Sequence, residues 1–254
     1  MSLGILIRFE NSAATLPDVL AALKSQTLQP DVILGVDSGS SDGSGTLIRN
    51  SGGKVIEWTE RYEHSKVLNF GLKHLHTDLV LVLSSHTVLE GPETLSRMVE
   101  AMRDSLTACV SLKWDVDPFY SDAIDWHEIS TKGLKFGSIY SNSMGMIRRS
   151  LWERQHFDET LETAEDYAWA IHHLEIGHIC RRLALPFRYR RSGENRDYEF
   201  ALIVFRLGRK YRLTVTWFGL RATFTAWLKS IFRGGSDATH HRALLTAYFR
   251  ALIA

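Results

Sequence analysis

Short apolar runs alternating with segments of helical period are the feature that most limits what this chain can fold into. Leu3 to Phe9 (LGILIRF), Asp31 to Asp37 (DVILGVD), Lys54 to Thr59 (KVIEWT), Asp78 to Ser84 (DLVLVLS) and Thr107 to Trp114 each read as a strand. Between the first two, Leu16, Val19, Leu20 and Leu23 repeat at helical spacing, with Pro17 and Asp18 suited to a first turn. A short helix to about Asn50, a helix over His64 to His76, and the stripe Leu95, Met98, Val99 and Met102 fill the later gaps. This alternation predicts an α/β fold with a mostly parallel central sheet buried on both faces and flanked by helices. In such sheets ligands bind beyond the carboxyl ends of the strands. The rule selects three polar loops: Glu10-Asn11, Asp37 to Asp42, and Ser84 to His86.

The second half is less regular. Trp114 to Ser130 reads as a loop-rich insert, and Phe136 to Arg149 as short strands. Ala164 to Gly177 (AEDYAWAIHHLEIG) predicts a helix with Glu165 and Asp166 in its first turn, where the dipole favours anions. A strand over Ile179 to Leu185 follows. The expected division is a catalytic-type domain over 1–190 and a basic, amphipathic helical region over 191–254. From Arg181 onward there are 15 basic and 4 acidic residues, a surplus of 11; the rest holds 15 basic and 25 acidic, a deficit of 10. Trp217, Leu220, Phe224, Trp227, Leu228 and Ile231 share one helical face, and Arg221, Lys229 and Arg233 flank or oppose it. Tryptophans on one side and cations on the other predict an interfacial helix at an anionic membrane surface. The plainer alternative is a helix packed on the main domain or on a second subunit. A nucleic-acid partner is not expected, because it would leave the apolar face unexplained.

Several function classes drop out. No G-x-x-x-x-G-K-[ST] occurs, and the segment after the first strand, RFENSAATLP, has no glycine, so the P-loop and dinucleotide fingerprints are both absent. His127-Glu128 has no second histidine at the zinc-helix spacing. Two cysteines, Cys109 and Cys180, lie far apart and fit a reducing compartment. No signal-peptide pattern opens the chain, and no uncharged apolar run reaches the roughly 18 residues that span a bilayer.

The run ILIRFENSAATLPDVLAALKSQTLQPDVILGVDSGSSDGS resembles the N-terminal part of family 2 glycosyltransferases. Phe9-Glu10-Asn11, Gln26-Thr27 and Val36 to Ser44 fall in that family's order. EHSKVLNFGL (63–72) resembles its Asn-x-Gly segment. LVLSSHTVL (81–89) falls where the family has Asp-x-Asp. The segment from Phe136 to His178 resembles its acceptor half, with Arg148-Arg149, Trp152 and the Glu165-Asp166 pair. The resemblance covers about residues 3 to 190.

It implies a GT-A nucleotide-diphospho-sugar transferase fold with a C-terminal helical segment, and transfer of a hexosyl or deoxyhexosyl group with inversion. Asp166 matches the catalytic base, with Glu165 beside it. Phe9, Glu10, Asn11, Asp37, Lys66, Ser84, Ser85 and His86 match donor-binding positions; for Asp37 the competing reading is a turn cap. Arg148, Trp152, Arg190 and Arg191 are candidates for acceptor or phosphate contact. The implied partners are a nucleotide-diphosphate sugar and a glycan or lipid-linked acceptor in cell-surface polysaccharide synthesis. The implied location is the cytoplasmic face of the cell membrane, held peripherally. The chain departs from the family at the metal position, where Ser84 and His86 replace both aspartates. Three outcomes stay open: a cation such as Mn²⁺ or Mg²⁺ bound partly by His86, arginines in place of a metal, or a catalytically silent relative serving as a binding or scaffold protein.

Overall fold

The structure is a computed structural model that describes residues 1–114, 119–135, 139–190, 197–215 and 246. The first half follows the predicted alternation closely: β1 (Leu3–Phe9), α1 (Leu16–Lys24), β2 (Val32–Asp37), α2 (Ser44–Asn50), β3 (Lys54–Glu57), α3 (His64–Lys73) and β4 (Leu79–Ser84). A short β5 (Thr87–Leu89), α4 (Thr94–Ala101) and β6 (Thr107–Leu112) follow. Then come β7 (Ala123–Ile124), α5 (Trp126–Lys132), β8 (Met144–Arg148), α6 (Arg149–Arg154), α7 (Glu165–Glu175), β9 (Ile179–Leu183), β10 (Phe187–Tyr189) and α8 (Asp197–Lys210).

Eight strands form one sheet in the order β3-β2-β1-β4-β8-β6-β9-β7, and β10 pairs with β5 in a small second sheet. β3, β2, β1 and β4 run parallel. β8 is inserted antiparallel between β4 and β6, so the sheet is mixed. Alternate residues of β1 and β4 feed two cores. Ile5, Ile7, Leu81 and Leu83 pack with α1, α2 and α4 on one face; Leu6, Val80 and Val82 pack with α3, α6, α7 and α8 on the other. Arg8, two residues after Leu6, therefore lies on the α3/α7 face. Gly71 lets α3 seat tightly there, since a Cβ at that position would lie 2.5 Å from the Leu6 Cδ1.

Two expectations are corrected. The Trp114 to Ser130 insert is not all loop, because α5 begins at Trp126 with Asp125 accepting the Glu128 amide at 2.7 Å. Its sole buried residue is Ile129, so it has no apolar stripe for sequence reading to detect. The polar loop Ser84 to His86 is short and leads directly into β5, a strand not expected from the sequence, whose partner β10 is about a hundred residues away in sequence and joins it antiparallel. The proposed interfacial helix of Trp217 to Ile231 lies outside the described residues. Among the described residues no helix is long and apolar enough to cross a membrane. Cys109 and Cys180, distant in sequence, are register neighbours on β6 and β9, both buried and free.

The second core carries an acid-labile point. His173 on α7 is 1% exposed, lies 4.0 Å from the Trp169 ring, and among the described residues has no hydrogen-bond partner for either ring nitrogen. Burial first, then His172 and His178, push its pKa down to about 3. A lowered histidine value means the unfolded chain takes up the proton first. Stability is therefore intact above the ordinary value of about 6.5 and is lost as pH falls towards 3. His173→Phe should remove that dependence. Between pH 7.5 and 5.5 the wild type is expected to lose about 1.4 kcal/mol relative to the variant in urea titrations. Parallel curves for the two proteins would refute this.

Candidate active site

The carboxyl ends of β1, β2 and β4 meet at one edge of the sheet, and short polar side chains stitch their loops together. Asn11 is left-handed, with φ 43°, an uncommon state for a residue with a side chain. Its amide donates to Ser40 Oγ at 2.9 Å, and its Oδ1 accepts the Ser41 amide at 3.0 Å. Asp42 accepts the Ala13 amide at 2.8 Å and the Ser44 amide at 3.0 Å, so it ties its own loop to that of β1. The Ser44 hydroxyl, followed by the Ala13 amide, holds the Asp42 carboxyl below its ordinary pKa. The Ser12 and Ser85 hydroxyls lie 3.0 Å apart, and Thr15 Oγ1 lies 3.3 Å from His86 Nδ1. The β5–β10 pairing then brings Arg190 to the same place, its amide donating to the His86 carbonyl at 3.1 Å.

Asp166 faces this edge from the first turn of α7, which starts after another left-handed residue, Ala164 with φ 60°. Strained backbone of this kind gathers where geometry is over-determined. The hub is Asn142, which is 1% exposed. Its amide donates to Asp166 Oδ2 at 2.9 Å, its Nδ2 to Glu165 Oε1 at 3.1 Å, and its Oδ1 accepts from the Tyr140 hydroxyl at 3.0 Å. Its carbonyl accepts from Arg8 Nη1 at 3.2 Å. One buried residue thus carries the cation on its carbonyl and the carboxylate on its amide. Burial, then the neighbouring Glu165 charge, push the Asp166 pKa up to about 7, against the pull of the Asn142 and Tyr167 amides and of Arg8. A partly exposed carboxylate poised there suits proton abstraction near neutral pH.

The other expected residues divide. Glu165 is 2% exposed and is held by Asn142 and by His64 Nε2 at 3.3 Å, so it lines the wall behind Asp166 and does not face the cleft. Glu10 is exposed at the β1 loop. Ser84 is buried, and its Oγ accepts the His86 amide at 3.3 Å. Asp37 Oδ1 accepts the Gly39 and Ser40 amides at 3.2 and 2.8 Å, which is the turn-capping geometry. Lys66, on the first turn of α3, is paired with Glu63 at 3.0 Å. Arg191 lies outside the described residues.

Three expectations need correction. Phe9 points away from the cleft into the core, where it fills the space above Gly35. Arg148 sits beside Leu79, at the opposite end of β4, because β8 runs antiparallel to it; its guanidinium binds the carbonyls of Met102, Asp104 and Thr107. Trp152 is 1% exposed, with its indole N–H donating to Asn69 Oδ1 at 3.0 Å, and so cannot line an acceptor groove. Conversely, Arg8, His64 and Asn142 were missed. Arg8 had a signal: a lone charge within a strand that is otherwise apolar on both faces.

A divalent cation does not suit the Ser84–His86 turn. Its donors are two hydroxyls and one imidazole, and Mg²⁺ in particular prefers carboxylate oxygens. Burial, then Arg8, lower the His86 pKa, so a fixed positive charge already acts on the spot a cation would occupy. Among the described residues no three His, Cys, Asp or Glu side chains gather as a metal site.

O-antigen chain rhamnosyltransferase RfbN of Salmonella typhimurium is 26% identical over 198 residues, 70% of this chain, and the matched region spans only 62% of that protein. The structure of S. aureus TarS 1-349 in complex with UDP superposes with a TM-score of 0.59 at 18% identity, covering 82% of this chain and 65% of TarS 1-349. The mannosyltransferase PcManGT from Pyrobaculum calidifontis, solved with GDP-Man and Mn²⁺, gives 0.61 at 16% identity, covering 99% of this chain and 75% of that one. These solved structures establish the GT-A fold. The model of the glycosyl transferase family 2 matches residues 5–168, from within β1 to just past Asp166, and this chain belongs to that family.

Proposed function

We propose that this protein is an inverting glycosyltransferase. It takes a sugar from a nucleotide-diphosphate donor and passes it to a glycan or lipid-linked acceptor during cell-surface polysaccharide synthesis. The observation that carries the reading is Asp166: a carboxylate pushed up to about 7, fixed by Asn142, at the edge where three strand ends meet. The acceptor hydroxyl oxygen attacks the anomeric carbon from the face opposite the diphosphate. Its proton passes to the Asp166 carboxylate as the new C–O bond forms. The old anomeric C–O bond breaks, and its electron pair leaves with the nucleoside diphosphate. The backbone-rich loops at Asn11 to Ser44 supply polar contacts suited to a base and ribose. A catalytically silent scaffold would have no chemical use for a base held this way.

The acceptor class rests on the likeness to RfbN and on the basic, tryptophan-rich stretch after Thr216, which suits a peripheral position at an anionic bilayer. UDP-, dTDP- and GDP-sugars should be offered to the whole protein with lipid-linked and soluble glycan acceptors. The expected result is turnover of one donor class, with product of inverted anomeric configuration by NMR. A retained configuration would end the inverting mechanism, and no turnover of any donor would end the enzyme reading.

A further inference from the structure

We propose that Arg8 takes up the negative charge of the departing diphosphate, so that transfer proceeds without a bound divalent cation. The inference rests on the donor reading above and deepens it.

The chemistry needs positive charge where the phosphate oxygen departs, and a preorganised cation there is worth most in a water-poor site. Arg8 has the placement. It is the register neighbour of Ser84 across β1 and β4, and its charge reaches both His86 and Asp166. It is also undersupplied with partners. A guanidinium carries five N–H donors. Only one bond is made by Arg8 among the described residues, to the neutral Asn142 carbonyl, and it forms no ion pair there. A part-buried arginine in that state calls for an anion. Of the described residues, the other basic side chains on β10 and just after it are committed elsewhere: Arg188 to Glu90 and Asp18 at 3.5 and 3.6 Å, and Arg190 to Asp18 at 3.7 Å. Two diphosphate oxygens can each accept one Arg8 N–H in a fork while the Asn142 bond remains. As the anomeric C–O bond breaks, its electron pair settles on the diphosphate that Arg8 already holds.

The test uses the whole protein and calorimetric titration with UDP, dTDP and GDP, each in EDTA, Mg²⁺ or Mn²⁺. At least one diphosphate is expected to bind in EDTA within about threefold of its affinity in Mn²⁺. Arg8→Gln, which keeps a polar N–H but loses the charge, should weaken that binding roughly 30-fold. Arg8→Lys should weaken it less, since charge survives without the fork. Melting temperatures of the free variants verify folding. Binding that requires Mn²⁺ or Mg²⁺, or an Arg8→Gln protein that binds as tightly as wild type, overturns the Arg8 proposal and leaves the donor reading standing. If no nucleoside diphosphate binds under any condition, both fall.

Discussion

Asp166→Asn is expected to lower kcat by about 10²- to 10⁴-fold while leaving nucleoside diphosphate affinity within a few fold. The side chain keeps its size, and an oxygen remains for the Asn142 or Tyr167 amide. What disappears is the capacity to accept a proton from the acceptor hydroxyl. The pH profile is the sharper readout. Asp166 acts as base only when ionised, and its pKa is pushed up to about 7. Turnover should therefore rise with pH through 7, with the rate at pH 6 roughly tenfold below that at pH 8. The sign for stability is opposite. A carboxyl with a raised folded-state pKa costs stability above pH 7, and that cost is relieved as pH falls towards the unfolded value. Activity and stability at this residue thus pull in opposite directions between pH 5 and 8. Equal turnover by wild type and Asp166→Asn would remove it from the chemistry.

The largest stability effect is expected at Asn69. It sits on α3, 1% exposed, and faces the segment preceding α7. Its Nδ2 donates to the Phe157 carbonyl and to Glu159 Oε1, both at 2.9 Å; its Oδ1 accepts from the Trp152 indole at 3.0 Å and the Phe157 amide at 3.2 Å. Asn69→Leu conserves volume but strands the indole, the amide and a carbonyl in the core. Each orphan costs about 1–3 kcal/mol, so a loss of about 3 kcal/mol or more is expected, or roughly 6–12 °C in Tm. Adding Trp152→Phe removes one orphan, and the pair should be less than additive. A Tm drop under about 2 °C for the single variant would show the network to be dispensable.

The two networks also show where sequence reading stopped. Asn69 was visible only as part of an Asn-x-Gly segment; its four bonds join residues some ninety positions apart, which no local pattern encodes. Arg148 and Trp152 fail as acceptor contacts for one topological reason. The antiparallel insertion of β8 sends the end of that strand to the far side of the sheet. Phe9 shows the same limit at shorter range, since strand parity assigned it to the core once its neighbours Ile5 and Ile7 were placed.

By itself the sequence determined the alternation of elements and the strand ends where a site would form, and through its family resemblance it put forward Asp166. The first two are local properties: apolar period and loop composition. Tertiary structure alone decided what surrounds them. It placed Arg8 and Asp166 on one residue, Asn142, set Glu165 in the wall behind Asp166, and laid β10 against β5 so that Arg190 reaches His86. Each of these depends on pairing between distant segments, whose register is set by which faces can be buried together and is not written in any one stretch of chain.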